Sequence, residues 1–190
     1  MDIERKRLVM GILLIFFMIS SVFGVLFFGF NQGTTNLNYN DFKFKQIQGQ
    51  WGTTLNKQKI LFEYHPIDVE SLIIDTPTKS IITNSKMIYL TSDFNDTDKE
   101  SIAQSSFQLT QRFNEQNVFV VNAFTQETQY NTPIITCENA SNTIPVLFFQ
   151  SAENTSITNI NNCIILEAST QYAFGRLRDR ILYMLYGVIE

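Results

Sequence analysis

The sequence predicts a mixed α/β or α+β domain carried behind one N-terminal transmembrane helix. Three observations lead there. Residues 8–30 form an uncharged apolar run of 23 residues. Between residues 86 and 124 a strand-like segment, a helix-period segment and a second strand-like segment follow one another. Residues 171–189 place apolar side chains at helical spacing.

At 1.5 Å per residue the first run makes a helix of about 34 Å, enough for a hydrocarbon core of about 30 Å. Backbone polar groups in lipid must be paired internally, which a lone apolar run achieves only as a helix. Arg5, Lys6 and Arg7 precede it, whereas Asp41 is the only charged residue from Asn31 to Phe42. Cations gather on the cytoplasmic side, so residues 1–7 read as a cytoplasmic basic tail and residues 31–190 as extracytoplasmic. The expected location is the cell membrane, crossed once by a signal-anchor, with the bilayer as partner of residues 8–30. A cleaved secretory signal is the alternative. Such signals have an apolar core of about 7–15 residues and a small-x-small exit, while this exit reads Phe27-Phe28-Gly29-Phe30. Ser20 and Gly24 make one small-xxx-small pair, a weak signal for helix association.

Residues 31–40 are polar and turn-prone and read as a tether, which starts the folded domain near Asp41. Phe42, Phe44 and Ile47, alternating with polar residues, predict an edge strand, and residues 59–64 a second strand. Residues 66–72 suit a helical turn that carries Ile67 and Leu72 inward. Residues 80–83 read as a short extended piece before the Asn84-Ser85 turn, and residues 86–91 as a strong strand. Thr97 and Glu100 have the spacing of a capping box, in which each side chain satisfies a free backbone N–H at the helix start. The helix that follows has its inward stripe at 102/103, 106/107, 110 and 113, and ends at Asn117. Residues 118–124 return as a strand, which completes a βαβ unit with parallel strands. Residues 145–150 and 162–168 flank a turn-rich segment and are expected to pair antiparallel. In the last helix Leu177, Ile181, Met184, Leu185 and Val188 share one face.

The chain has 190 residues, 44% apolar and 17% charged, with a net charge of -4. That composition excludes a disordered or collagen-like chain, and a pI near 5.0 excludes a basic nucleic-acid binder. Cys137 and Cys163 fit no metal signature, and two cysteines in an exported domain are expected to form a structural disulfide. Asn95, Asn139 and Asn154 each begin an N-glycosylation sequon, so the protein is a glycoprotein in a host that glycosylates. His65, the only histidine, lies at a strand end before Pro66, and without a nucleophile elbow it reads as structural. Asp93, Asp96, Asp98 and Glu100 gather oxygen ligands at the C-terminal end of a strand, the place where open α/β sheets bind ligands. This loop is the first choice for a ligand or metal site, with helix capping as the plainer role. Arg176 and Arg180, with Tyr183 and Tyr186, make an expected partner face on the last helix, since Tyr and Arg are enriched at binding hot spots.

No Gly-rich phosphate loop, dithiol motif or nucleophile elbow is present in the sequence, and no cofactor is expected. The reading is an anchored extracytoplasmic binding or envelope-assembly module that meets a protein partner or a second copy of itself. The alternatives are an anchored enzyme that uses the acidic loop with a metal, and a redox or folding factor that uses Cys137 and Cys163.

Overall fold

A computed structural model describes residues 3–29, 35–55 and 57–189. The chain divides into two compact units, Met1–Thr35 and Asn36–Glu190. The first holds one helix, α1 (Ile3–Gly29), whose apolar residues run round its whole circumference instead of forming a stripe. Among the described residues no helix is long and apolar enough to cross a membrane. Phe30, the end of the expected span, lies outside the described residues, and only the backbone of residues 3, 4, 8, 22 and 24–29 is described.

The second unit opens with a four-stranded antiparallel meander: β1 (Asn36–Tyr39), β2 (Phe42–Ile47), β3 (Gln50–Leu55) and β4 (Gln58–Phe62), paired in that order. The tether expected over residues 31–40 is therefore partly a strand, and the folded unit begins at Asn36. Residues 42–47 lie inside this sheet, not at its edge, because β1 pairs on their outer side. The β2–β3 turn places Gln48 at φ 50° and Gly49 at φ 82°. Two successive left-handed residues match the twist of a tight hairpin, and glycine supplies one of them without a steric penalty.

Two short helices connect the sheets, α2 (Pro66–Val69) and α3 (Thr76–Asn84). Ile67 points to solvent, 55% exposed, while Leu72 is buried as expected. α3 replaces the extended piece expected at residues 80–83. Asp75 starts it by accepting the Thr78 N–H at 2.9 Å, and Pro77 sits in the first turn, where its fixed φ is already helical.

The remaining elements are β5 (Met87–Ser92), α4 (Lys99–Glu115), β6 (Phe119–Phe124), β7 (Val146–Ser151), β8 (Ser156–Ile160), β9 (Cys163–Ala168) and α5 (Gln171–Leu185). They form a mixed five-stranded sheet of order β6-β5-β7-β9-β8, with a parallel β5-α4-β6 unit as expected. β7 and β9 pair parallel, not antiparallel. The turn-rich segment between them contains a strand of its own, β8, which takes the antiparallel place beside β9 and turns the chain round twice. α5 stops at Leu185, earlier than the expected Ile189. Gly187 at φ 70° lets the Val188 N–H reach the Tyr183 carbonyl at 2.8 Å and its own N–H reach Met184 at 3.1 Å, the paired closure of a left-handed C-cap.

Within the second unit one continuous core joins both sheets and the helices packed on them. Phe44 and Phe62 meet Tyr183, with the Phe62 and Tyr183 rings stacked at 4.1 Å. Phe149 packs near Phe174, and Leu90, Leu109, Leu147 and Leu166 are buried in the same cluster.

Candidate functional site

The stripe expected on α4 separates into two faces. Ile102, Ser105, Leu109 and Phe113 are buried. Ala103, Ser106, Phe107 and Thr110 instead form one wall of an open groove of about 540 Å³. The opposite wall comes from the ends of β5 and β6 and from the segment after β6. Phe94 is its centre, edge-on to Phe124 at 5.5 Å and to Tyr130 at 5.7 Å, with Lys99 Nζ 5.8 Å from its ring centroid. Thr110 and Asn122 exchange a side-chain hydrogen bond across the base at 3.2 Å. The volume is in the range of sites for small ligands or for one or two peptide side chains. Ala103 and Phe107, apolar residues beside the buried stripe a helix needs, are the sequence signal that could have marked this groove.

The acidic loop lies at one end of it, but its carboxylates are engaged within the chain. Asp93 Oδ1 accepts from the Asn95 N–H at 2.8 Å and from Gln126 Nε2 at 2.9 Å. Asp96 accepts from the Ser151 hydroxyl at 2.5 Å, the Ser151 N–H at 2.9 Å and the Asp98 N–H at 2.9 Å. Burial alone raises the Asp96 carboxyl, but the Ser151 hydroxyl and N–H and the Asp98 N–H outweigh it and hold the group below its usual value. Asp98 Oδ2 also accepts from Ser151 Oγ, at 3.2 Å. Asp96 thus ties the end of β5 to the end of β7 at the point where the strand order reverses. Among the described residues no group of His, Cys, Asp and Glu side chains is placed to hold a metal ion. The expected metal loop is a structural clasp. Its capping box is absent too: the helix starts after Asp98, and Thr97 Oγ1 reaches Ser151 at 3.5 Å instead.

Cys137 and Cys163 form a disulfide with Cα atoms 5.1 Å apart. Cys163 starts β9 and is fully buried, while Cys137 belongs to a one-turn helix in the segment that supplies Tyr130 to the groove. The bridge therefore anchors the groove's outer wall to the sheet. Asn95, Asn139 and Asn154 are all exposed.

The partner face expected on α5 is not a surface. Tyr183 is fully buried and Arg180 is 2% exposed. These side chains instead grip the connection after β4: Tyr183 donates to the Tyr64 carbonyl at 2.6 Å, Arg180 to Leu72 at 2.7 Å and Arg176 to Asp68 at 2.7 Å. Tyr186 lies edge-on to Phe62 at 6.4 Å. Asp179, 1% exposed, accepts the Glu63 N–H at 2.8 Å and the Tyr64 N–H at 2.9 Å while pairing with Arg178 at 2.8 Å. Burial lowers the Arg178 guanidinium, but Asp179 and Glu63 outweigh it and hold the cation. Burial pushes the Tyr183 hydroxyl far up, so it stays a donor.

His65 stands at the start of α2 as its N-cap. Its Nδ1 accepts from the Ile67 N–H at 3.4 Å, and its ring lies among Trp51 at 4.8 Å and Phe44 at 5.1 Å. Burial lowers its pKa, against the smaller opposing effect of Asp68 and Glu70.

Compared with protein families, curated proteins and solved structures, the chain matches none.

Proposed function

We propose that the chain is a single-pass membrane-anchored, extracytoplasmic binding module whose docking site is the groove between α4 and β6. Its occupant is an extended apolar segment of a partner protein. The anchor is argued from the whole sequence, since the described residues alone contain no qualifying helix. Residues 8–30 carry no charge and follow Arg5, Lys6 and Arg7. From Val9 to Ile19 the large apolar side chains are exposed on all sides, which suits lipid and not a single docking stripe. The exposed sequon asparagines are open to glycosylation in a host that performs it.

The observation that carries the docking role is the groove together with the strand beside it. β6 pairs with β5 on one side, and on its other side, among the described residues, only Ile134 bridges, opposite Phe124. Phe124 uses its outward N–H and carbonyl on Pro133 and Ile135, at 3.1 and 2.9 Å. Backbone groups alternate along a strand, so those of Val120 and Asn122 face the same free edge. A strand added there gains main-chain hydrogen bonds, and its alternate side chains enter the groove.

Selection of a displayed library of random linear peptides on the full-length chain tests this. Sequences with aromatic or branched apolar residues at alternate positions should be enriched. Ala103→Trp, which fills the groove from an exposed position, should abolish the enrichment. No enrichment, or enrichment indifferent to Ala103→Trp, overturns the docking role. Protease added outside intact cells that leaves residues 36–190 uncut overturns the orientation.

A further inference from the structure

A second cavity, of about 250 Å³, shares no lining residue with the groove. It lies between the first turns of α4 and α5 and the chain just after β4. Gln104 and Ser105 come from α4, Gln171 and Tyr172 from α5, and Glu63 and Arg178 complete it. Three observations mark it as a built site.

Ser105 is 2% exposed and lines the cavity, and its hydroxyl has no hydrogen-bond partner among the described residues. A helical hydroxyl can bond back one turn, as Thr110 does to the Ser106 carbonyl at 2.8 Å. Arg178 is equally buried, and its Nε and Nη2 are committed to Asp179 and Glu63. Among the described residues its remaining nitrogen, Nη1, has no hydrogen bond, and Arg178 lines the cavity. Gly175 sits inside α5, where glycine is about 1 kcal/mol worse than alanine. A Cβ there would come within 3.0 Å of Glu63 Oε2 and 3.1 Å of Tyr64. The glycine lets the Glu63 carboxylate lie against the helix beside Arg178.

The charges decide the ligand class. Two carboxylates, Glu63 and Asp179, face one guanidinium, so the surroundings carry a formal excess of one negative charge and repel an anion. The groups left for a ligand mix donors and acceptors: the Arg178 Nη1, two glutamine amides, a serine hydroxyl and the Glu63 carboxylate. Tyr172, 67% exposed, offers an aromatic face at the mouth. We infer that this cavity binds a neutral polyhydroxylated ligand, a single sugar residue, through Glu63, Gln104, Ser105, Gln171 and Arg178, with its ring against Tyr172. A hydroxyl both donates and accepts, so a sugar satisfies every one of these groups without adding charge. The site is preorganised, because Asp179 fixes the backbone of Glu63 and Tyr64 from within the core. It does not depend on the groove or on its occupant.

The test titrates the full-length chain, in a phosphocholine detergent without a sugar headgroup, with methyl glycosides of glucose, galactose, mannose and N-acetylglucosamine. Inorganic phosphate and acetate serve as anion controls. At least one glycoside should saturate with a dissociation constant of about 10 mM or lower, the scale for so small a ligand, and neither anion should bind. Ser105→Leu fills the cavity and should remove binding. Because that position is buried, Gln104→Ala on the exposed rim is the second variant, with a loss of about five-fold, the worth of one hydrogen bond. Failure of every glycoside to saturate, binding of an anion in preference, or unchanged affinity in Gln104→Ala overturns the proposal.

Discussion

α4 and α5 pack against each other in the same unit but solve opposite problems. α4 buries only Ile102, Ser105, Leu109 and Phe113, and leaves the rest of its surface to solvent, to the groove and to the polar cavity. α5 buries the run from Leu177 to Met184 without a break, including Arg178, Asp179 and Arg180. Charge content therefore does not say which helix is interior. A charged side chain enters the core when partners there offset the loss of its hydration. α5 meets that condition because the connection after β4 brings it free backbone N–H and carbonyl groups. α4 meets no such connection and stays amphipathic.

The comparison breaks most sharply at Asp179. Asp179→Ala removes the acceptor for the Glu63 and Tyr64 N–H groups and leaves Arg178 buried with only Glu63. Removing one partner of a buried ion pair typically costs about 3–5 kcal/mol, and urea unfolding should show a loss of that size. A loss under about 1 kcal/mol, the scale of an exposed pair, would mean that the α5 charges are solvated and that the two helices are alike.

Within α4 the contrast is between its own faces. Leu109 is fully buried and Phe107 is 62% exposed. Leu109→Ala should cost about 2–5 kcal/mol as a core truncation, while Phe107→Ala should change stability by no more than about 0.5 kcal/mol. Equal losses in thermal unfolding would show that the groove wall is part of the core, and the docking role would fall with it.

Much of the α/β framework was legible because local pattern and tertiary role agree there. Residues 86–124 show alternation, helical period and alternation in turn, and the parallel β5-α4-β6 unit follows. The disulfide was legible because only two cysteines exist. The misreadings occur where the decisive partner is remote in sequence. β8 was hidden because Ser156, Thr158 and Asn159 resemble a turn, and only Glu167 and Leu166 across from Ser156 and Ile157 make it a strand. β3 has no period-2 apolar pattern, since Gly52 and Thr53 face the positions a hydrophobic residue would mark. The acidic loop looked like a ligand site because Ser151, more than fifty residues away, is what satisfies it. The α5 charges looked exposed for the same reason: Asp179's partners lie 115 and 116 residues earlier. Short-range patterns reveal which elements form, not which polar groups those elements will satisfy.

The smallest effect concerns the one imidazole that the same connection buries without full satisfaction. His65 is 2% exposed, and among the described residues its Nε2 has no hydrogen-bond partner. Burial holds its folded pKa below the ordinary value of about 6.5. The unfolded chain therefore takes up a proton first, so the stability from the neutral ring is complete above about pH 6.5 and is lost as pH falls through the lowered folded value. Asp96 and Asp75, both held below their usual values, stay ionised between about pH 7 and pH 5 and do not contribute there. Asp179 is pushed up by burial and acts in the opposite sense, so the readout is a difference between two proteins. His65→Phe keeps an aromatic ring beside Trp51 and Phe44 and removes the titration. The melting temperature of the wild type should fall more than that of His65→Phe when pH drops from about 7 to about 5. Parallel pH profiles would show that water already reaches the ring, and that the connection held by α5 is not dry on its β-sheet side.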